Sequence, residues 1–285
     1  MDKVLIVSDG KKGHENQAIA YAKLRNASYT IVYVRFKSTL HKILGYLFDW
    51  LGIYTKALFE PFDFTCEYDA VVSAGSSTYY ATKLIAKACN IPSIALMQPK
   101  GFRKNFTKIY AQKHDGGLLP INFAVSQPQG VYKCEGKCVA LVVGGSNSVF
   151  TMQLKDIQEV VAYIFKHFQG YKKVLSTSPR TPKEIEEYLA KQPFDFKIIY
   201  SKDPRNPIGD FLACCDYFFI TIDSTSMISE AVSSGKAAIE VVPLEAKGKN
   251  KYEVMVQELA NDGYLHIFDG TIDKANKKID LRQYI

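Results

Sequence analysis

Leu141-Val142-Val143-Gly144-Gly145-Ser146-Asn147 is the stretch on which the fold turns. A β-branched and aliphatic run stops at two glycines and two short polar residues, as a buried strand does when it enters a tight turn ahead of a helix. The same grammar opens the chain. Val4 to Val7 reads as a strand, Ser8 to Gln17 as a glycine-containing loop, and Asn16 to Arg25 as a helix. Outward from these two starts, short apolar runs alternate with amphipathic stretches, the pattern of strand-helix units wound on parallel sheets. The first set continues through strands at Tyr29–Val34, Asp69–Ala74 and Ser93–Met97, with weaker ones at Lys108–Ala111 and Asn122–Val125. Ser126 to Lys137, rich in Gln, Gly and Pro, reads as a connection. The second set runs from Val139 through a helix over Thr151–Phe168, then Lys173–Thr177, Pro182–Lys191, Phe196–Tyr200, Ile208–Cys214, Tyr217–Thr221, Ser226–Ser233 and Ala237–Val242.

The expected fold is therefore α/β, two Rossmann-like domains with parallel sheets facing across a cleft. The domains are placed at residues 1–133 and 134–285, the last helix being a candidate to pack back on the first. Ligands in such sheets bind at the carboxyl ends of the strands. A length of 285 residues, 47% of them apolar, suits two folded domains. No run approaches the roughly 20 apolar residues of a spanning helix, and Met1-Asp2-Lys3 leads straight into a strand, so a cytoplasmic protein is expected, at most touching the inner face of the membrane. Six cysteines are expected to be free thiols. Cys134 and Cys138 lie four apart, but with no further ligand in view no metal site is expected. The net charge of +7 fits an anionic substrate or surface. Nucleic acid is disfavoured, because the 36 basic residues are scattered instead of forming an aromatic-studded stripe.

Three constellations can carry chemistry. In the first, Ser8-Asp9-Gly10-Lys11-Lys12-Gly13-His14-Glu15, a histidine beside a helix start is a candidate general base, with Asp9 and Glu15 as acidic alternatives; a capping or solvent-facing histidine fits the same residues. In the second, Gly144, Gly145 and Ser146 can present amides and a hydroxyl to phosphate, or simply make a tight turn. In the third, Asp223-Ser224-Thr225-Ser226-Met227 followed by Ser229-Glu230 offers helix-start donors to a diphosphate and a carboxylate to ribose hydroxyls, or only caps a helix. Asp115, in His114-Asp115-Gly116, reads as a turn residue that also qualifies as an acid. Phe36 to Phe64 crowds Leu40, Ile43, Leu47, Trp50, Leu51 and Ile53 among Lys37, Lys42 and Lys56, which suits a helix on an anionic membrane as well as one buried in the domain.

Taken in order, these motifs resemble the two-domain nucleotide-sugar transferases of the GT-B fold along nearly the whole chain. Gly13-His14 after strand one, Gly144-Gly145-Ser146 opening the second domain, and Ser224 to Leu244 followed by Lys249-Asn250-Lys251-Tyr252 are similar to the lipid-linked N-acetylglucosaminyltransferase of peptidoglycan synthesis. Lys11 and Lys12 replace a more glycine-rich run of that enzyme. A closer likeness is to the mitochondrial-fission ELM family, carried by Asp9-Gly10, by Gly13 to Gln17, by Ser178-Pro179-Arg180-Thr181-Pro182 and by Asp223 to Ala231. The resemblance implies a glycosyltransferase using a nucleoside diphosphate sugar, UDP-type, with no cofactor and no metal. It implies a lipid-linked or glycan acceptor in cell-envelope biosynthesis, with peripheral membrane contact through residues 36–64. The implied donor residues are Gly13, Gly144, Gly145, Ser146, Arg180, Asp223, Ser224, Thr225, Ser226, Met227, Glu230 and Asn250. Glu230 would hold the ribose and Arg180 would neutralise the diphosphate. A sugar-nucleotide epimerase of the same fold and a non-catalytic membrane scaffold are the alternative readings.

Overall fold

The computed structural model describes residues 2–285, and these divide into two units, residues 2–124 with 281–285, and residues 125–280. In the first unit the elements run β1 (Lys3–Ser8), α1 (Lys12–Leu24), β2 (Ser28–Tyr33), α2 (Thr39–Leu51), β3 (Ala70–Ser73), α3 (Tyr79–Cys89), β4 (Ser93–Leu96) and β5 (Lys108–Tyr110). The strands form one parallel sheet in the order β2-β1-β3-β4-β5. Val4 to Val7 is apolar at every position because helices cover both faces of a parallel sheet. Ser8 pairs with Tyr33 and Val7 with Ser73, so the residues after β1, β2 and β3 emerge along one carboxyl edge.

The second unit contains β6 (Cys138–Val143), β7 (Phe150–Thr151), α4 (Leu154–His167), β8 (Lys172–Thr177), α5 (Lys183–Lys191), β9 (Phe196–Ile198), α6 (Ile208–Cys214), β10 (Tyr217–Thr221), α7 (Thr225–Ser233), β11 (Ala238–Val242), β12 (Glu245–Ala246), α8 (Lys251–Asn261) and β13 (His266–Ile267). Six strands pair in parallel in the order β13-β11-β10-β6-β8-β9. β7 and β12 form a short antiparallel ribbon. β6 is buried along its whole length between β10 and β8; Val142 pairs with Ile220 and Val143 with Thr177. Gly144, Ser178 and Asp223 therefore leave the sheet at the same end.

Several expectations are corrected. Asn122–Val125 is not a strand; Ile121, Phe123 and Ala124 are buried, but by side-chain packing without a ladder. α4 starts at Leu154 instead of Thr151, since Phe150 and Thr151 pair with Ala246 and Glu245. Cys66 and Cys89 are not free thiols but a disulfide, which ties the loop before β3 to the end of α3. α2 is amphipathic in an unusual sense. It buries Asp49, whose carboxylate takes the Lys83 ammonium of α3 at 2.8 and 3.0 Å and the Tyr54 hydroxyl at 3.0 Å, while Leu44 and Phe48 lean on the core. Leu40, Ile43, Leu47, Trp50 and Leu51 point outward, Trp50 at 64% exposure. Among the described residues no helix is long and apolar enough to cross a membrane.

Candidate functional site

In the second unit, Asp223 organises the turn after β10. Its side chain is buried and fully partnered: Oδ1 accepts from Thr221 Oγ1 at 2.7 Å, and Oδ2 accepts from Gly145 N at 3.0 Å and from Arg180 Nη2 at 2.8 Å. Burial pushes the Asp223 carboxyl up, against the opposing pull of Thr221, the Gly145 amide and Arg180. Thr221 Oγ1 also accepts from Gly144 N at 2.8 Å, and Thr181 Oγ1 donates toward the Val143 and Gly144 carbonyls. Asn147 completes the brace, reaching the Asp223 carbonyl at 3.0 Å.

This clamp explains the paired glycines. A Cβ on Gly144 would lie 2.2 Å from Asp223 Oδ1, and one on Gly145 2.0 Å from the Arg180 carbonyl oxygen. The turn is glycine because Asp223 and Arg180 are drawn against its backbone. In it the Gly145 amide donates to Asp223, and the Ser146 hydroxyl accepts from Met152 N at 2.9 Å. What faces outward is the Arg180 side chain, 42% exposed although one guanidinium nitrogen is fixed.

Beside it, Ser224 caps α7 by accepting from Met227 N. Ser224, Thr225, Ser226 and Met227 are half-buried around that helix start. Glu230 follows on α7, half-buried and hydrogen-bonded to the Ser126 side chain; burial lifts its carboxyl to about 7. A desolvated acid a turn and a half along a helix whose start displays donors is the kind of group found at binding sites. Asn250 is placed otherwise. It caps α8, its Oδ1 accepting from the amides of Tyr252 and Glu253 and its Nδ2 donating to Glu253.

In the first unit, α1 begins at Lys12, so Gly13 and His14 lie in its first turn and not in the preceding loop. His14 Nδ1 is 3.3 Å from Asp9 Oδ1, and the Asp9 carboxylate also takes Lys11 N at 3.2 Å. An Asp on Nδ1 orients the ring and leaves Nε2 to accept a proton. Glu15 is unsuited to that work: it is buried, accepting from Ser8 Oγ at 2.9 Å and Lys12 Nζ at 3.0 Å. Burial pushes it up, but Lys12, Ser8 and Tyr33 more than offset this and hold it below the usual carboxylate range. Asp115 lies in a 3-10 turn over Lys113–Asp115.

Sequence reasoning missed Gly75, against which the His14 ring lies, and the struts Thr221, Thr181, Asn147 and Ser126. It also missed a cavity of about 660 Å³ at the carboxyl edge of the first sheet, lined by Asp9, Lys11, Arg35, Lys37, Lys42 and Ser77 among others. Its cations come from the loop before α1 (Lys11), the loop after β2 (Arg35 and Lys37) and helix α2 (Lys42), so no single run of basic residues announces them.

Known proteins carry parts of this architecture. An uncharacterized protein of Rickettsia prowazekii (strain Madrid E) is 24% identical over 325 residues, covering 94% of this chain and 91% of that one. The putative UDP-N-acetylglucosamine 2-epimerase from Listeria monocytogenes superimposes with a TM-score of 0.55 at 11% identity, covering 96% of this chain and 86% of the other. The glycotransferase of kitacinnamycin gives 0.50 at 13% identity, covering 96% and 88%. At such identities the likeness establishes the fold: α/β, two Rossmann-like domains of the GT-B type. The family model described as Mitochondrial fission ELM1 matches residues 12–283, and the chain belongs to that family.

Proposed function

We propose that the chain is a glycosyltransferase that moves a sugar from a nucleoside diphosphate sugar, UDP-type, to a lipid-linked or glycan acceptor at a membrane surface in cell-envelope biosynthesis, with no metal in the reaction. The observation that carries the reading is the guanidinium of Arg180, anchored on one side by buried Asp223 and open on the other, beside the hydroxyl-bearing start of α7 and the half-buried Glu230. A fixed cation and helix-start amides suit a diphosphate, and a carboxylate suits the two ribose hydroxyls.

In this reading the acceptor oxygen attacks C1 of the sugar as a general base takes its proton; within the first unit His14 Nε2 is the group suited to that role. The bond from C1 to the diphosphate oxygen breaks, the nucleoside diphosphate leaves with the electron pair, and Arg180 with the α7 amides meets the charge. Two features of the first unit support an acceptor that is anionic and lipid-borne. The cavity beside Asp9 collects Lys11, Arg35, Lys37 and Lys42, which suits a phosphate. Thr39 and Lys42 of α2 line that cavity, and the same helix carries the outward row Leu40, Ile43, Leu47 and Trp50, so headgroup and acyl chain would meet one element.

The test is calorimetry and thermal shift with UDP, UDP-sugars and GDP. Saturable binding of a UDP-sugar that weakens at least tenfold in Glu230→Ala, followed by donor consumption on adding a polyprenyl-phosphate acceptor, is the expected result. No heat with any activated sugar overturns the donor site. Donor isomerisation without acceptor indicates an epimerase, and vesicle binding without any nucleotide response indicates a scaffold.

A further inference from the structure

Four of the six cysteines, split between two segments of the sequence, meet in the second unit. Cys134 lies before β6, Cys138 is its first residue, Cys214 ends α6, and Cys215 follows. The sulfurs of Cys134, Cys138 and Cys214 all lie within 4.8 Å of one another. Cys215 Sγ is 2.8 Å from Cys138 Sγ and 4.0 Å from Cys214 Sγ. Cys138 and Cys215 are buried, whereas Cys134 and Cys214 are partly open, so the group has a closed inner side and one reachable side.

Packing alone does not ask for this. Thiols are small apolar groups, and nothing in a core requires three of them from two distant segments to turn their sulfurs toward a common point. A zinc ion about 2.3 Å from each thiolate in a tetrahedron sets sulfur–sulfur separations of about 3.8 Å, which the trio's spread accommodates. We propose that Cys134, Cys138 and Cys214 bind a thiophilic divalent cation of the zinc class through three thiolates. Each thiol gives its proton to solvent on binding. Lys236 lies within electrostatic reach of Cys134 and Cys214 and offsets part of the charge of the thiolates.

The placement makes the site a staple and not part of the sugar chemistry. Cys138 opens β6, whereas Gly144 follows its far end, and six residues of strand span about 20 Å. The segment entering this unit is already strapped to α6. Asp210 accepts from the amides of Gln129, Gly130 and Val131 at 3.0, 3.0 and 3.1 Å, and Gly209 is bare where the Gln127 carbonyl presses on it. A metal on Cys134 and Cys138 would fix the other end of that segment to the junction of α6 and β10.

The experiment uses the full chain, purified under reducing conditions without a nickel column or chelator. Elemental analysis is expected to find about one zinc per chain. Cobalt added to the chelator-stripped protein is expected to give the thiolate-to-cobalt charge-transfer band and the visible bands of a tetrahedral site. Cys134→Ser combined with Cys214→Ser should lose both signals, and Cys66→Ser with Cys89→Ser should keep them. Because a cluster variant can fail to fold, the wild-type cobalt spectrum decides alone: reduced, folded protein with no bound zinc and no charge-transfer band overturns the proposal. So does intact mass showing a second disulfide within the cluster in freshly isolated, metal-free protein.

Discussion

The imidazole of His14 rests on the bare Cα of Gly75: a Cβ added at Gly75 would come within 2.4 Å of His14 Cε1, and the backbone there has φ of +90°. Gly75 follows β3, the sheet neighbour of β1, so the turn after one strand serves as the floor for the imidazole that follows the other. Gly75→Ala would be strained by its φ and would push the ring off Asp9. If His14 is the base, the expected outcome is a fall in kcat of about 100-fold with the donor dissociation constant unchanged within twofold. Kinetics beside calorimetry checks it; an equal loss in donor affinity would remove His14 from the role of base.

Arg180 and Asp223 make separable contributions. Removing the carboxylate in Asp223→Ala leaves the Gly145 amide and Thr221 hydroxyl buried without their acceptor and frees Arg180, at a cost of about 3 kcal/mol. Removing the cation in Arg180→Ala takes one of the donors from the buried Asp223 carboxylate and should cost about 1 to 3 kcal/mol of stability, while weakening UDP binding by roughly 10- to 100-fold. Arg180→Lys should recover only part of that, because an ammonium cannot hold Asp223 and bridge two phosphates at once. Urea unfolding together with UDP titration separates the two effects.

What could be read before the structure divides along the same line. The strands of the second sheet are continuous apolar runs that end in Gly144 and Asp223, and a run buried on both faces announces itself in one dimension. Motif order then put the Gly144 turn, Arg180 and the start of α7 at one sheet edge. The links among them were not legible, because they depend on register: Thr221 reaches Gly144 only because β10 lies beside β6. The cap that Asn250 makes at the start of α8 was not anticipated for a related reason, since it depends on local backbone geometry. The cysteines show the same limit: Cys66 and Cys89, and Cys134 and Cys214, are brought together by helix ends whose positions no spacing rule encodes.

On the proposed reading, Glu230 makes the donor site a pH reporter. Its carboxyl, about 7 in the folded chain against an ordinary 4.5, is raised, so the stability it confers is fully present below 4.5 and is lost as pH rises through 7. Glu230→Gln should therefore lose less stability than wild type between pH 5 and 8. Donor binding should run the other way, because ribose hydroxyls are accepted by the ionised form: UDP affinity is expected to fall as pH drops from 8 to 6. The substitution should cost roughly tenfold at pH 8 and much less at pH 6. Calorimetry at the two values checks it; an identical pH dependence in the variant would assign the titration to another group.

The two faces of α2 should respond oppositely to substitution. Trp50 and Leu47 lie on the outward row, so Leu47→Ser with Trp50→Ser should leave the unfolding free energy within about 0.5 kcal/mol of wild type. If that row enters an anionic bilayer, the same change removes about 2 kcal/mol or more of apolar transfer and lowers binding to phosphatidylglycerol vesicles by roughly 30-fold or more. Asp49→Ala acts on the other face. It leaves the Lys83 ammonium buried without its carboxylate and should cost about 3 to 5 kcal/mol of stability. Flotation of the double variant with vesicles decides between surfaces: undiminished binding would shift the membrane contact away from α2, while binding that is lost and does not return at low salt would show that the apolar row, and not charge alone, holds the protein there.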